Sequence, residues 1–243
     1  MSTDPAFLAA RNNAAWCDAV CRSSGGATEL RSGLWWNARP SSPYFPSLIT
    51  VEPAVDFAQV EALLQAASGD GSVIGVKDSF CTLDLSSSGF SRLFEACWIW
   101  RDPAPQEITT PELRWTKVAS QAELQLWERE WHPDRGSRTL AESIYGASLL
   151  RCQNISFVAA FEGSALVAGA ALTATESTVG LTCTFFRGPN PQQVRRELIS
   201  FVNECHPGCP ILGYESGDEL AAMKALGFRE VGPLRVWLGS AAR

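Results

Sequence analysis

The sequence lacks several features that mark common classes of protein. It has no run of about 18 apolar residues, the length of a membrane-spanning helix. Its 20 lysines and arginines are outnumbered by 26 aspartates and glutamates, and the net charge of −6 argues against a nucleic-acid binder. The amino-terminal residues lack the basic start and apolar core of a signal peptide. We therefore expect a cytoplasmic protein that binds neither nucleic acid nor membrane.

Histidine is scarce, with two residues that are distant in sequence, so a catalytic triad or a histidine-based metal site is not indicated. The eight cysteines include Cys205 and Cys209, which flank His206, and Cys17 and Cys21, which are spaced as one face of a helix. Structural zinc usually takes two close pairs of ligands. Because the helical spacing favours buried thiols, we predict free cysteines and no metal.

Apolar residues make up 46% of the chain and aromatic residues 10%, which is ample for a buried core. Three prolines among mostly polar neighbours mark Asp102–Glu112 as a linker. The sequence therefore predicts a shorter amino-terminal domain over residues 1–102 and a carboxyl-terminal domain over residues 113–243.

The amino-terminal part begins with a helical stretch, Phe7–Cys21, and then shows alternating strand and helix patterns. These predicted elements are a strand at Ser47–Glu52, a helix at Asp56–Ala67, a strand at Val73–Lys77 and a strand at Leu93–Trp100. The carboxyl-terminal part ends with the same order, and both copies place Gly-Phe before a tryptophan-bearing strand. The shared pattern predicts a duplicated fold, with a chance match left open.

The carboxyl-terminal part shows a longer series of elements. They are a strand at Leu113–Ala119, helices at Gln121–Trp131 and Thr139–Leu150, strands at Ser156–Phe161, Leu166–Thr175 and Thr178–Phe186, a helix at Gln192–Glu204, a strand at Pro210–Glu215, a helix at Gly217–Leu226 and a last strand through Trp237. The periodicity of the helix after Pro191 predicts that Arg195, Arg196 and Glu197 face outward.

This order of elements resembles the GNAT acetyltransferase superfamily over Leu113–Leu238. The most specific segments are Phe157–Gly163 and Ala225–Val231. The resemblance implies an α/β fold with a mixed, mainly antiparallel sheet flanked by helices, in two tandem GNAT-like halves. It also implies transfer of an acetyl group from acetyl-CoA, as co-substrate, to an amine of a small molecule or peptide.

In the family, pantetheine forms strand-like hydrogen bonds with the fourth strand. The resemblance assigns this role to the backbone of Cys183, Thr184 and Phe185. Such contacts depend little on the side chains, and a nucleophilic role for Cys183 is less favoured than a core position.

The family binds the CoA pyrophosphate at a glycine-rich turn before a helix, where backbone amides and the helix dipole attract phosphate. This sequence departs from that pattern, with Asn190 at the Arg/Gln position and Gln193 and Arg195 at the positions of small residues. Asn190 suits a helix cap, and Arg187, Arg195 and Arg196 are candidates for side-chain contacts to phosphate.

The proton-transfer residues of the family are also altered. Met223 replaces the tyrosine that protonates the departing thiolate, and Ser216 replaces an upstream asparagine. We expect Glu215, with Tyr214, to be the best-placed pair for acid–base catalysis, or a bound water to take the proton. Two alternatives to an acetyltransferase stay open: a non-catalytic protein that binds an acyl-pantetheine or other small ligand, and a structural partner of another protein. Whether the chain forms a homodimer is also open.

A group of aromatic residues, Trp35-Trp36 and Tyr44-Phe45, lies beside Arg39. It either lines a substrate pocket or fills the space between the two halves, and the second reading is favoured. Gly69-Asp70-Gly71 precedes a strand, which is the wrong context for a dinucleotide-binding loop. Glu176 is expected to be a solvated hairpin residue.

Overall fold

The computed structural model describes residues 4–38, 44–67, 73–104, 111–132, 143–175 and 177–239. Its helices are α1 Pro5–Ser23, α2 Phe57–Ala67, α3 Gln121–Trp131, α4 Pro191–Cys205 and α5 Gly217–Lys224. Its strands are β1 Thr28–Arg31, β2 Leu34–Asn37, β3 Leu48–Thr50, β4 Ile74–Asp78, β5 Phe90–Arg101, β6 Arg114–Lys117, β7 Ile155–Glu162, β8 Ala165–Ala174, β9 Val179–Phe186, β10 Ile211–Glu215 and β11 Arg229–Gly239. Arg39, the Gly69–Gly71 loop and Glu176 lie outside the described residues.

The contacts within the chain define two compact units. The first unit comprises Met1–Ile99, Tyr214–Leu220 and Glu230–Arg243, and the second comprises Trp100–Gly213 and Ala221–Arg229. The division into residues 1–102 and 113–243 that the linker predicted concerns which segments fold independently, and it stays a prediction.

In the first unit the strands follow the order β1-β2-β3-β4-β11-β5. The pairs β1–β2, β2–β3 and β4–β11 are antiparallel, whereas β3 and β4 are parallel and joined through α2. Val60 and Leu64 on α2 pack into a buried cluster with Leu48, Val76 and Trp237. The last strand of the chain thus contributes to the core of this unit.

The β1–β2 hairpin was not predicted from the sequence. Its two-residue loop, Ser32-Gly33, has φ values of 50° and 77°, as in a type I′ turn. The signal is present in the sequence, because this pair separates two short segments with strand-forming residues, Thr28–Arg31 and Leu34–Asn37.

In the second unit the strand order is β10-β9-β8-β7-β6. All neighbours are antiparallel except β9 and β10, which are parallel and connected by α4. Both faces of β8 are buried, as the apolar pattern predicted, and its alanines allow helices to pack closely. Trp127 of α3 lies over the sheet, and its indole N–H donates to the Val158 carbonyl at 2.9 Å.

The predicted fold class is confirmed: the chain is α/β, with a mixed, mainly antiparallel strand arrangement flanked by helices. One predicted helix is wrong in its described part, because Thr139–Leu150 contains only a short 3₁₀ helix there, at Ala147–Arg151. Within the described residues no helix is both long and apolar enough to span a membrane.

Candidate functional site

A β-bulge interrupts β9 in the middle of the strand. Gly169 of β8 pairs with Phe185 and Ala171 pairs with Thr182, so the two residues between them on β9 oppose a single residue on β8. Cys183, inside the bulge, has a φ of 52°, which a residue with a side chain seldom adopts. A bulge bends its strand and takes backbone groups out of the ladder.

The parallel ladder between β9 and β10 ends before this bulge. Among the described residues it joins Ile211 to Val179 and Leu212 to Gly180. The backbone of Cys183–Phe185, to which the sequence assigned pantetheine binding, therefore follows the last paired residues of β9 on that side. Cys183 and Thr184 are half-buried and Phe185 is buried.

A buried tyrosine points at the bulge. The hydroxyl oxygen of Tyr145 lies 3.3 Å from the Cys183 sulphur, and either atom can be the donor. The Tyr145 ring packs against Trp127, Trp131 and Phe157, with centroid distances of 5.8, 5.6 and 5.2 Å. This aromatic cluster fixes the direction of the phenol, and the sequence reasoning did not identify Tyr145.

A buried carboxylate holds the segment that carries Tyr145. Glu128 on α3 is 6% exposed and accepts hydrogen bonds from the Ile144 N–H at 2.8 Å and the Tyr145 N–H at 3.4 Å. The Ser143 hydroxyl donates to the same side chain. The sequence indicates this burial only through the spacing of residues. Glu128 lies four residues after Leu124 and one after Trp127, and this places it on the apolar face of the helix.

The amino terminus of α4 follows the bulged strand through the turn that contains Gly188. The predicted cap is confirmed, because the Asn190 side chain accepts a hydrogen bond from the Gln193 N–H at 3.3 Å and Pro191 begins the helix. This bond occupies one of the backbone donors that the family uses for phosphate. Arg187 is exposed, and its guanidinium donates to the Glu130 carbonyl at 2.5 Å.

The predicted orientation of two α4 residues is wrong. Arg195 is 7% exposed, with its guanidinium 4.5 Å from the centre of the Phe186 ring. Glu197 is 3% exposed and accepts bonds from the backbone N–H groups of Glu112 and Leu113, at 3.0 and 3.2 Å. Both charged groups are buried against residues outside α4: Arg195 against Phe186, and Glu197 against the backbone of Glu112 and Leu113. Helical periodicity alone does not reveal such contacts. Arg196 is exposed, as predicted.

Tyr214 and Glu215, the predicted acid–base pair, lie in the first unit, and both are half-buried. The Tyr214 ring lies 4.3 Å from the Lys77 ammonium and 5.6 Å from the Trp98 ring, edge to face. Lys77 is buried and donates to the Asn13 side chain at 2.7 Å. The described contacts of Tyr214 are thus with the first unit, whereas the residues assigned to cofactor binding lie in the second.

The remaining candidate residues are cysteines, His206 and Met223. The eight cysteines form no disulfide, and Cys17 and Cys21 are buried on α1 as predicted. Burial raises the pKa of Cys205 and lowers that of His206. Among the described residues, no three side chains of the usual ligand types are grouped closely enough to hold a metal ion. Met223 is buried on α5.

The fold is similar to that of solved acetyltransferase structures. A GCN5-related N-acetyltransferase from Kribbella flavida aligns with a TM-score of 0.66 at 15% identity, covering 97% of this chain and 96% of that one. A tandem GNAT protein from the clavulanic acid biosynthesis pathway aligns with a TM-score of 0.57 at 10% identity, covering 93% and 89%. No family model matches the chain, and the comparison with curated proteins gives no match.

A functionally unknown conserved protein from Staphylococcus epidermidis has a similar fold too, with a TM-score of 0.60, 11% identity and coverage of 90% and 96%. At these identities the comparisons establish the fold. The resemblance to the GNAT superfamily that the sequence indicated is therefore confirmed as a likeness of fold.

Proposed function

We infer that this GNAT-fold protein transfers an acetyl group from acetyl-CoA to an amine of a small molecule or peptide. The observation that carries the inference is the bulge at Cys183, which lies just beyond the last paired residues of β9 and β10. A strand that leaves its neighbour offers backbone donors and acceptors to an extended ligand. Pantetheine, with its two amide groups, suits such an edge.

The amino terminus of α4 is the proposed position of the CoA phosphates. Helix amides and the helix dipole favour an anion there. Exposed Arg187 and Arg196 provide cationic side chains, whereas Arg195 is packed against Phe186 and holds the local structure. Substitution of Arg196 is therefore a cleaner test of phosphate binding than substitution of Arg195, or of Arg187, which also donates to the Glu130 carbonyl.

In the proposed reaction the amine nitrogen attacks the thioester carbonyl carbon, the new C–N bond forms and the C–S bond breaks. The amine loses one proton to water or to a side-chain base, and the CoA thiolate gains one. Met223 cannot donate that proton. The Tyr145 hydroxyl lies 3.3 Å from a side chain of the bulged segment, and we assign it as the proton donor to the thiolate.

The substitution Tyr145→Phe tests this assignment. It keeps the ring packing and removes the hydroxyl, so kcat should fall about 100-fold or more while the acetyl-CoA Kd is unchanged. The assay follows CoA formation by mass spectrometry over a panel of amines. Cys183→Ala is the matched control, because it removes the same contact and leaves the phenol. Equal losses in both variants, or an unchanged kcat in Tyr145→Phe, would contradict the assignment.

The assignment of Glu215 and Tyr214 to proton transfer stays a prediction. Glu215→Gln and Tyr214→Phe in the same assay test it, and Glu215→Gln should lower kcat with an unchanged acetyl-CoA Kd if Glu215 is the base. A cytoplasmic location and a homodimer also stay predictions.

A second candidate function is binding of an acyl-pantetheine without turnover. It is favoured by the α4 terminus, where Asn190 already occupies the Gln193 N–H and no glycine follows in the first turn of the helix. Binding of acetyl-CoA with no CoA formed from any amine would support this candidate over acetyl transfer.

A further inference from the structure

The first unit contains a cavity of about 370 Å³ beside α1. Pockets that bind small molecules have volumes of roughly 300–1,000 Å³, so this one suits a compact ligand. Its lining combines apolar and charged side chains from α1, the β1–β2 hairpin and the end of β3. The lining residues are Arg11, Ala14, Ala15, Asp18, Arg22, Leu30, Trp35 and Val51.

One wall of the cavity is held rigidly by a hydrogen-bonded carboxylate. Asp18 accepts bonds from the Trp35 indole N–H at 3.0 Å and from the Thr28 hydroxyl at 2.5 Å, both at the same oxygen. Its other oxygen accepts from the Arg22 guanidinium at 2.8 Å. The indole is therefore fixed in place, and the negative charge of Asp18 is already balanced by Arg22.

The apolar part of the cavity is open because its helical residues are small. Ala14 and Ala15 leave space beside the Trp35 ring, and Leu30 is 58% exposed. Burying the exposed Leu30 side chain against an apolar ligand is favourable. Trp35 is 2% exposed and forms part of the cavity wall. The ligand therefore needs an apolar body, aromatic or branched.

The charge at the cavity favours an anion. Arg11 forms an ion pair with Glu52 at 3.6 Å, and the two side chains are 46% and 44% exposed. An exposed pair at this distance is weak, and a ligand carboxylate can replace it with a bidentate pair. Arg22 holds Asp18 at 2.8 Å, whereas the Arg11–Glu52 pair is longer, so Arg11 is the cation that a ligand carboxylate recruits most easily.

We propose that this cavity binds a small carboxylate with an aromatic or branched apolar body. The apolar body packs on Leu30 and Ala15, beside the wall that contains Trp35, and the carboxylate pairs with Arg11. The site uses residues of the first unit alone and is independent of the proposed acetyl transfer.

Titration of the full-length protein with phenylacetate, followed by the indole N–H signals in a ¹H–¹⁵N spectrum, tests the proposal. The chain has nine tryptophans, and the signal lost in Trp35→Phe identifies Trp35. We expect a saturable shift of that signal at millimolar phenylacetate. The neutral probe phenylacetamide and the cationic probe benzylamine should bind at least about tenfold more weakly.

Two variants separate the apolar and the charged contributions. Ala15→Leu occupies part of the cavity and should weaken binding at least about tenfold, and Arg11→Gln should weaken binding about tenfold. Arg151→Gln, at an exposed arginine of the second unit, is the control and should bind as the unmodified protein does. Thermal unfolding shows that each variant is folded. No saturable shift, an unchanged affinity in Ala15→Leu, or equal affinities for phenylacetate and phenylacetamide would overturn the proposal.

Discussion

At the scale of single residues, two buried carboxylates in the second unit bind backbone N–H groups of distant chain segments. Glu128 bonds the backbone at Ile144 and Tyr145, and Glu197 bonds the backbone at Glu112 and Leu113. Each joins a helix to a chain segment that forms little regular structure of its own. The direction of the Tyr145 phenol therefore depends on Glu128, which acts through the backbone of Ile144 and Tyr145.

Glu128→Gln tests this dependence. The amide has one acceptor oxygen where the carboxylate had two, and its NH₂ group would face backbone donors. We expect a loss of about 2 kcal/mol in the free energy of unfolding, or roughly 4–8 °C in Tm for a chain of this length. Glu162→Gln, an exposed residue at the end of β7, is the matched control. Equal melting temperatures for the two variants would argue against a positioning role for Glu128.

Sequence reasoning at this scale succeeded where the chemistry is local. The cap at Asn190 follows from a nearby backbone donor, and it is present. The outward orientation of Arg195 and Glu197 was wrong because their partners lie elsewhere in the chain. Periodicity describes one helix, whereas these charges are buried by contacts with other elements.

At the scale of secondary-structure elements, the proposed function rests on the bulged strand β9. The pattern of β9 predicted a strand with close to the observed bounds, because alternation and β-branched or aromatic residues are local signals. It did not predict the bulge, since Cys183 is not a residue type that favours positive φ. Register depends on the partner strand, here on Gly169 and Ala171 of β8.

Substitution of the α4 cap, Asn190, should lower the stability of the protein and yet raise its affinity for acetyl-CoA. Asn190→Ala should cost about 1 kcal/mol of stability, and Asn190→Gly only a few tenths. Asn190→Gly also releases the Gln193 N–H and allows closer approach of a phosphate, so the affinity for acetyl-CoA should rise. Calorimetric titration measures this affinity. A lower affinity in Asn190→Gly would argue against phosphate binding at this helix terminus.

At the scale of the whole molecule, β11 belongs to the first unit although it follows the second unit in the sequence. Arg235–Gly239 of β11 pairs with Ile74–Asp78 of β4, and Trp237 is part of the buried cluster around Trp36. The linker composition and the repeated Gly-Phe motif gave no indication of this pairing, because strand order depends on contacts between distant segments. Such contacts leave no short-range pattern in a single sequence.

Truncation of the chain tests the role of this strand. A protein that ends at Phe228 lacks β11 and leaves one side of β4 without its partner, so the first unit should lose its cooperative unfolding. A protein that ends at Gly239 keeps every β4–β11 pair and is the control. Circular dichroism and hydrogen exchange report the result. Native protection of β4 amides in the protein that ends at Phe228 would contradict this role.

The central claim, that the GNAT fold of this protein binds acetyl-CoA, is tested most directly by thermal unfolding with and without saturating acetyl-CoA. Free CoA and inorganic phosphate are the controls. A ligand at a hundred times its Kd stabilises the folded state by roughly 2.7 kcal/mol, which corresponds to about 5–10 °C for a chain of this length. We predict a shift of that size with acetyl-CoA and with CoA, and none with phosphate. No shift with either thioester or thiol would contradict the claim.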